Sequence, residues 1–422
     1  MIDLLVIGEG LSGLMAAYHA ARAGLSVRVI GKGLGALHWD AGTIDLLGYL
    51  PGAHDSLRCP MKQLGLLDPA HPYHLLGEAT LAAALAQFVA LTAELGLPYS
   101  PAVVAGENSL LSSPLGAARP VFLAPAAQQG GDLGSSAPMV VVGFKGLRDF
   151  YPALIAENLN KLGYPARAAF LPYQLLSGRR DANTVHLAHE LDAPARRAKL
   201  AAALKKLLEP GERIGLPAIL GIDDHPAALV HLEQIVQAPI FEIPTLPPSV
   251  PGIRLVKSLR QHLLQLGVRV EAGMEAIGFE TNGGNNIQWV ETETSARPLK
   301  HRAKSYLLAT GGILGGGFDS DHTGRVWEVV FDLPLTIPQQ RSHWFRPQFL
   351  EATGQPVFRG GVPVNRRFQP VRPSGEPVYA NLWAAGGTLA GADPIRERSL
   401  TGIAVATGFA AAQQIATSHA LT

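Results

Sequence analysis

Apolar residues in this chain come as short unbroken runs alternating with helical stripes, a pattern that predicts an α/β fold with parallel strands. Ile2 and Leu4 to Ile7 form a run of the kind that a sheet covered on both faces buries, and GEGLSGLMAAYHAARAG then carries leucine and alanine at helical spacing. A second strand is expected over Ser26 to Ile30, and a helix over Leu76 to Leu95. Between Pro98 and Pro138, short apolar stretches among Pro, Gly, Ser and Ala suit the strands of a cap. A second βαβ pattern follows: strand Met139 to Val142, helix Leu147 to Leu162, strand Ala166 to Leu171. Asp192 to Leu208 and Ala227 to Ile235 read as helices, with the apolar run Ile214 to Leu220 between them. Past a proline-stiffened entry near Thr245, a helix over Ile253 to Leu266 is capped by Gly267. Strands are expected at Val268 to Val270, Ala276 to Glu280, Ile287 to Glu293, Ser305 to Ala309 and Leu382 to Ala385, and a last helix at Leu400 to Ala416. The expected architecture is a discontinuous Rossmann-like domain, residues 1–75 and 245–422, with an inserted cap or substrate-like domain, residues 76–244.

The first strand and helix are joined by Gly8, Gly10 and Gly13 in the GxGxxG spacing. Gly8 suits the sharp turn, Gly10 lets backbone approach a phosphate, and Gly13 lets the helix lie close to the sheet. The order strand, glycines, helix points to a nucleotide-containing redox cofactor; the alternative is a tight strand-to-helix turn with no ligand. A dinucleotide site ordinarily ends its second strand in a carboxylate that grips the adenosine ribose. Here Gly31, Lys32 and Gly33 follow that strand, and no Asp or Glu occurs from Gly10 through Trp39. Either Lys32 meets a second phosphate, or the nucleotide lacks adenosine. Gly143 and Gly146, after the strand at Met139, do not complete a second motif. Near the C-terminus, Gly386 and Gly387 precede a helix and can bring backbone N–H groups to the flavin side of a nucleotide. Asp393 suits either ribityl hydroxyls or the capping of a turn.

Composition narrows the class. A chain of 422 residues with 47% apolar and 16% charged residues is long enough for two or three domains and matches a globular enzyme. Lysine and arginine number 35 against 34 acids, a balance that argues for no nucleic-acid partner. One cysteine, Cys59, cannot hold an iron–sulfur cluster, so any cluster belongs to a partner. The buried run at the start leaves no room for a secretory leader, and no apolar run approaches the length of a membrane span. The expected location is cytoplasmic, peripheral to the inner membrane through partner subunits.

Several stretches go further: IGEGLSGL (Ile7 to Leu14), GALHWDAGTIDLLGYL (Gly35 to Leu50), AHPYHLL (Ala70 to Leu76), PTLPPSVPGIRL (Pro244 to Leu255), NLWAAGGTLAGADP (Asn381 to Pro394) and GIAVATGFAAAQQIA (Gly402 to Ala416). With these the chain resembles the B subunits of anaerobic glycerol-3-phosphate dehydrogenases, in the fumarate reductase and succinate dehydrogenase flavoprotein group. The resemblance implies a three-subunit enzyme. An FAD-binding sister subunit oxidises sn-glycerol 3-phosphate to dihydroxyacetone phosphate, this subunit is associated with FMN, and an iron–sulfur subunit anchors the complex and passes electrons to menaquinone. FMN agrees with the missing ribose carboxylate; FAD is the alternative. The loop GGTLAGADPIRERSL lacks the HGANRL-like run of fumarate reductases, so dicarboxylate reduction is not implied.

The resemblance also places the loop with His38, Gly42 and Thr43 against the isoalloxazine, with Leu14 and the glycines on the phosphate side. A structural role for His38, with Trp39 as a core anchor, is the competing reading. Candidates for chemistry are His38, Arg254 and His343. Eight arginines between residues 341 and 400, against four acids, suit a phosphorylated substrate, a docking face for an acidic partner surface, or a solvated loop region. No catalytic constellation emerges, which favours electron relay. Two other functions stay open: a self-sufficient flavin oxidoreductase acting on another small alcohol or amine, and a flavin-free scaffold subunit.

Overall fold

The computed structural model describes residues 2–101, 106–179, 181, 183–294 and 297–421. The chain forms two units: one of Met1–Ala36, Asp45–Ala90 and Ser258–Thr422, the other of Leu37–Ile44 and Leu91–Lys257.

The first unit is built on a five-stranded sheet of β1 (Ile2–Ile7), β2 (Val27–Gly31), β3 (Arg269–Ala272), β4 (Ala303–Leu308) and β5 (Leu382–Ala384), in the order β3-β2-β1-β4-β5. Every pairing is parallel, with Ile7 opposite both Ile30 and Leu308. Leu4, Leu5 and Val6 are fully buried, as the unbroken apolar run requires of a strand covered on both faces. Helix α1 (Leu11–Arg22) leaves β1 after three residues, and it packs on the long C-terminal helix Leu400–Ala420. A Cβ on Gly408 would stand 2.5 Å from the Ser12 carbonyl oxygen, so the two helices meet backbone to backbone. A three-stranded antiparallel sheet, Ala276–Thr281, Ile287–Thr292 and Leu299–His301, completes the unit's larger sheets.

The second unit holds a four-stranded parallel sheet in the order Ile240–Ile243, Arg213–Pro217, Met139–Lys145, Ala166–Pro172, flanked by helices Pro152–Lys161, Pro194–Lys205 and His225–Val236. Its core joins Val140 to Val142, Ile155, Leu200, Leu216, Leu232 and Phe241. The helix expected from Leu147 begins at Pro152 instead. Proline is tolerated in a first helical turn and disfavoured further in, so Leu147 to Tyr151 stay outside. The same rule lets the next long helix, Val250–Gln265, start earlier than expected, with Pro251 in its first turn.

The α/β class with a Rossmann-like parallel sheet is the one expected from the sequence. Among the described residues, no helix is long and apolar enough to cross a membrane.

Candidate functional site

In the first unit the glycine turn leaves the head of a helix uncovered. Gly8 takes φ +116, and a Cβ there would meet the Ala309 carbonyl carbon at 2.6 Å, so this turn admits only glycine. A Cβ on Gly13 would run into the Gly8 carbonyl. Gly10 is the N-cap of α1 with no side-chain cap, and a Cβ there would meet nothing within 4 Å. The first turn of α1 carries no acid. These N-terminal amides, the positive end of the helix dipole and the clear approach over Gly10 fit a phosphate group. Leu14 lies wholly in the core, one turn into α1.

Lys32 is three-quarters exposed, and its ammonium donates to Glu275 Oε1 at 2.7 Å. Glu9, which a search for acids confined to Gly10 through Trp39 passes over by one residue, lies 1% exposed beside Gly31. Its Oε1 is 3.5 Å from the Arg260 guanidinium, and burial raises its carboxyl pKa against the opposing pull of that charge.

The C-terminal loop is tied to itself. Gly386 has φ +81 and its N–H donates to Thr407 Oγ1 at 2.8 Å, so this amide is already spent; Gly387 packs near the Gly311 carbonyl. Asp393 is 1% exposed and accepts from the backbone N–H of Arg396 at 3.0 Å and of Gln355 at 3.3 Å, the turn-capping alternative, with its carboxyl raised by burial. A buried dyad, unseen in the sequence, closes the loop. His71 Nδ1 accepts from the Tyr73 N–H at 3.1 Å, which leaves the ring proton on Nε2, 3.1 Å from Glu397 Oε2. Glu397 Oε1 accepts from the Asp393 N–H at 3.2 Å. Of the arginines of this region, Arg359 lies 4.0 Å from Glu397 and Arg396 bonds the carbonyl of Ala352 at 2.9 Å. His343 is exposed on a short 3-10 turn, Arg341–His343.

In the second unit the segment Leu37–Ile44 is pinned at successive residues. The His38 carbonyl accepts from the Ser249 N–H at 2.9 Å, the Ala41 carbonyl from Gln128 at 2.8 Å, the Gly42 carbonyl from the Tyr99 hydroxyl at 2.6 Å, and Thr43 Oγ1 from Arg119 at 2.7 Å. The His38 and Trp39 side chains are both exposed, so Trp39 is not a core anchor. Arg254 is buried and forks onto Glu242 with bonds of 2.6 and 2.8 Å, while its Nε donates to the Gly221 carbonyl at 2.7 Å. Burial presses the Glu242 carboxyl upward, and the Arg254 charge more than offsets it, leaving the group below the ordinary carboxylate range. Each of the three guanidinium nitrogens therefore already has a partner inside the protein. Beside it a cavity of about 180 Å³ is lined mainly by Leu97, Tyr99, Pro226, Val230 and Pro251, with His225 held neutral as burial brings its pKa down to about 4.

A family model described as an FAD binding domain matches residues 3–403. The B subunit of a probable anaerobic glycerol-3-phosphate dehydrogenase of Halobacterium salinarum is 32% identical, covering 97% of this chain and 96% of the relative. The B subunit of the anaerobic glycerol-3-phosphate dehydrogenase of Yersinia pestis is 31% identical over 100% and 99% of the two chains. Among solved structures, the 3-ketosteroid delta1-dehydrogenase of Sterolibacterium denitrificans aligns with a TM-score of 0.46 at 13% identity, covering 99% of each chain.

Proposed function

Since the chain belongs to the FAD binding domain family and, within it, stands with the B subunits of anaerobic glycerol-3-phosphate dehydrogenases, we propose that it is the flavin-carrying B subunit of such an enzyme. Its flavin is FMN. The uncapped head of α1 under Gly10 carries this reading, because it offers amides to a phosphate with no side chain in the way. The proposed division of labour has residues 1–75 and 245–422 as the flavin domain and residues 76–244 as the cap.

A bound flavin supplies reversible two-electron acceptance. The chain's own part is to hold it. Gly8 and Gly13 set the turn, and Gly10 and the α1 amides receive the phosphoryl end. Neither Arg254, engaged by Glu242, nor the exposed His343 is assigned a step in oxidising sn-glycerol 3-phosphate. The proposed role is relay: electrons come from an FAD-binding sister subunit, leave through an iron–sulfur subunit held at the membrane, and reach menaquinone.

The test is purification of the chain alone and with its two partners. The chain alone is expected to be yellow, to release FMN on extraction, and to oxidise little glycerol 3-phosphate; the complex is expected to turn over. Full turnover by the isolated chain would replace relay with direct oxidation. A colourless protein that takes up no flavin on reconstitution would leave only the scaffold role.

A further inference from the structure

We propose that Glu9 sets the nucleotide preference of the phosphate loop: turned inward, it fills the place from which a dinucleotide site projects its ribose-gripping carboxylate, and so leaves the loop fitted to a mononucleotide flavin. This rests on the flavin reading above. In a Rossmann-type site the acid that accepts the adenosine ribose hydroxyls projects from the end of the second strand. That position here is Gly31, the last residue of β2. A Cβ built on Gly31 would meet Glu9 Cβ at 2.8 Å and Cγ at 3.0 Å, so the stem of Glu9 already occupies the volume of a residue-31 side chain.

The Glu9 carboxylate does not serve a ribose from there. The residue is 1% exposed; Oε2 is buried with no hydrogen-bond partner among the described residues, and Oε1 faces the Arg260 guanidinium at 3.5 Å. Its raised pKa has the same cause, burial only partly relieved by Arg260. The next side chain along, Lys32, is committed to Glu275. The phosphoryl contact common to FMN and FAD stays open over Gly10, whereas the strand-end residue itself, Gly31, has no carboxylate to offer the two hydroxyls of an adenosine ribose. Positions 9 and 31 are thereby coupled: an acid at one requires glycine at the other.

FMN and FAD affinities of the full chain, read by quenching of flavin fluorescence, test this, with melting temperatures measured beside them. Wild type is expected to gain nothing from the adenosine half and to bind FMN at least as tightly as FAD, whereas one charge-assisted hydrogen bond to the ribose would favour FAD about tenfold. Glu9→Gln should keep the preference, because the carboxylate touches no ligand. The exchange variant Glu9→Gly/Gly31→Glu should move the ratio toward FAD by at least about tenfold. Gly31→Glu alone should lower the melting temperature, and adding Glu9→Gly should restore most of it. The role of Glu9 is overturned by tighter binding of FAD than of FMN to wild type, by an exchange variant with an unchanged ratio, or by a selective loss of FAD in Glu9→Gln, which would put the carboxylate on the ribose. Wild type that binds neither flavin overturns the flavin reading itself.

Discussion

Two parallel sheets in this chain each carry a strand, a glycine close to its end and then a helix, yet only in the first is the space over the glycine open. In the first unit, α1 begins three residues after β1, and the space over Gly10 is clear for 4 Å. In the second, the strand Met139–Lys145 is followed by six residues before the helix Pro152–Lys161, and the Pro152 ring lies where a Cβ on Gly143 would stand, at 2.6 Å. Glycine there makes room for a proline ring rather than for a ligand. The lesson is that glycine content does not make an anion site; the helix must start at once and its head must stay uncovered. The two units also treat buried carboxylates oppositely. Glu242 is kept ionised by Arg254, whereas Glu328 in the first unit, whose carboxyl accepts from the backbone N–H groups of Val330 and Phe331, is raised by burial to about 7.

Breaking the second unit's charge pair should have the largest effect. Arg254→Met leaves Glu242 buried without its cation and is expected to cost about 3–5 kcal/mol in urea unfolding, much of it recovered in Arg254→Met/Glu242→Met. If the single variant lost under about 1 kcal/mol, the pair would not be the clamp described.

The contrast between the carboxylates can be sharpened by pH. With a folded pKa of about 7 against an ordinary 4.5, Glu328 is protonated in the folded state over a range where the unfolded chain has released the proton. Its stabilising contribution is complete below about pH 4.5 and declines as pH rises toward 7, by on the order of 3 kcal/mol. Glu328→Gln should flatten that part of the stability profile, and an unchanged slope would refute the assignment. Glu242 works in the other direction, its contribution being lost as pH falls.

The two glycine turns themselves give the smallest predicted free energies and the cleanest contrast. Gly10 has φ −74, so Gly10→Val should leave the melting temperature nearly unchanged and weaken flavin binding at least about 100-fold, roughly 2.7 kcal/mol. Gly143→Ala should do the reverse, costing about 1–3 kcal/mol of stability through overpacking against Pro152 with flavin affinity intact. Matching behaviour of the two variants would erase the distinction between the turns.

Much of this was legible in the residues. The run Leu4 to Ile7, the spacing of Gly8, Gly10 and Gly13, and the alternation of strands with helices announced a parallel α/β sheet with a sharp strand-to-helix turn, because burial on both faces and a backbone reversal leave local signatures. Helix starts at Pro152 and Pro251 obey a local rule once the prolines are given their due. The partners of charged side chains were not legible. Arg254 stood among the candidates for chemistry and Lys32 as one of two answers to the missing ribose acid; their partners Glu242 and Glu275, at separations of 12 and 243 residues, leave no local signal. The His71–Glu397 dyad spans 326 residues and carries no spacing signal at all.

The amino-acid order by itself determined where strands, helices and tight turns fall, since those depend on neighbours a few positions away. Which acid lies at the end of β2, which arginine is spent inside the core and which glycine turn stays open were settled only when distant segments packed together. Charge pairing and the volume of one side chain against another are properties of that packing, and Glu9 beside Gly31 is the case on which the choice of nucleotide turns.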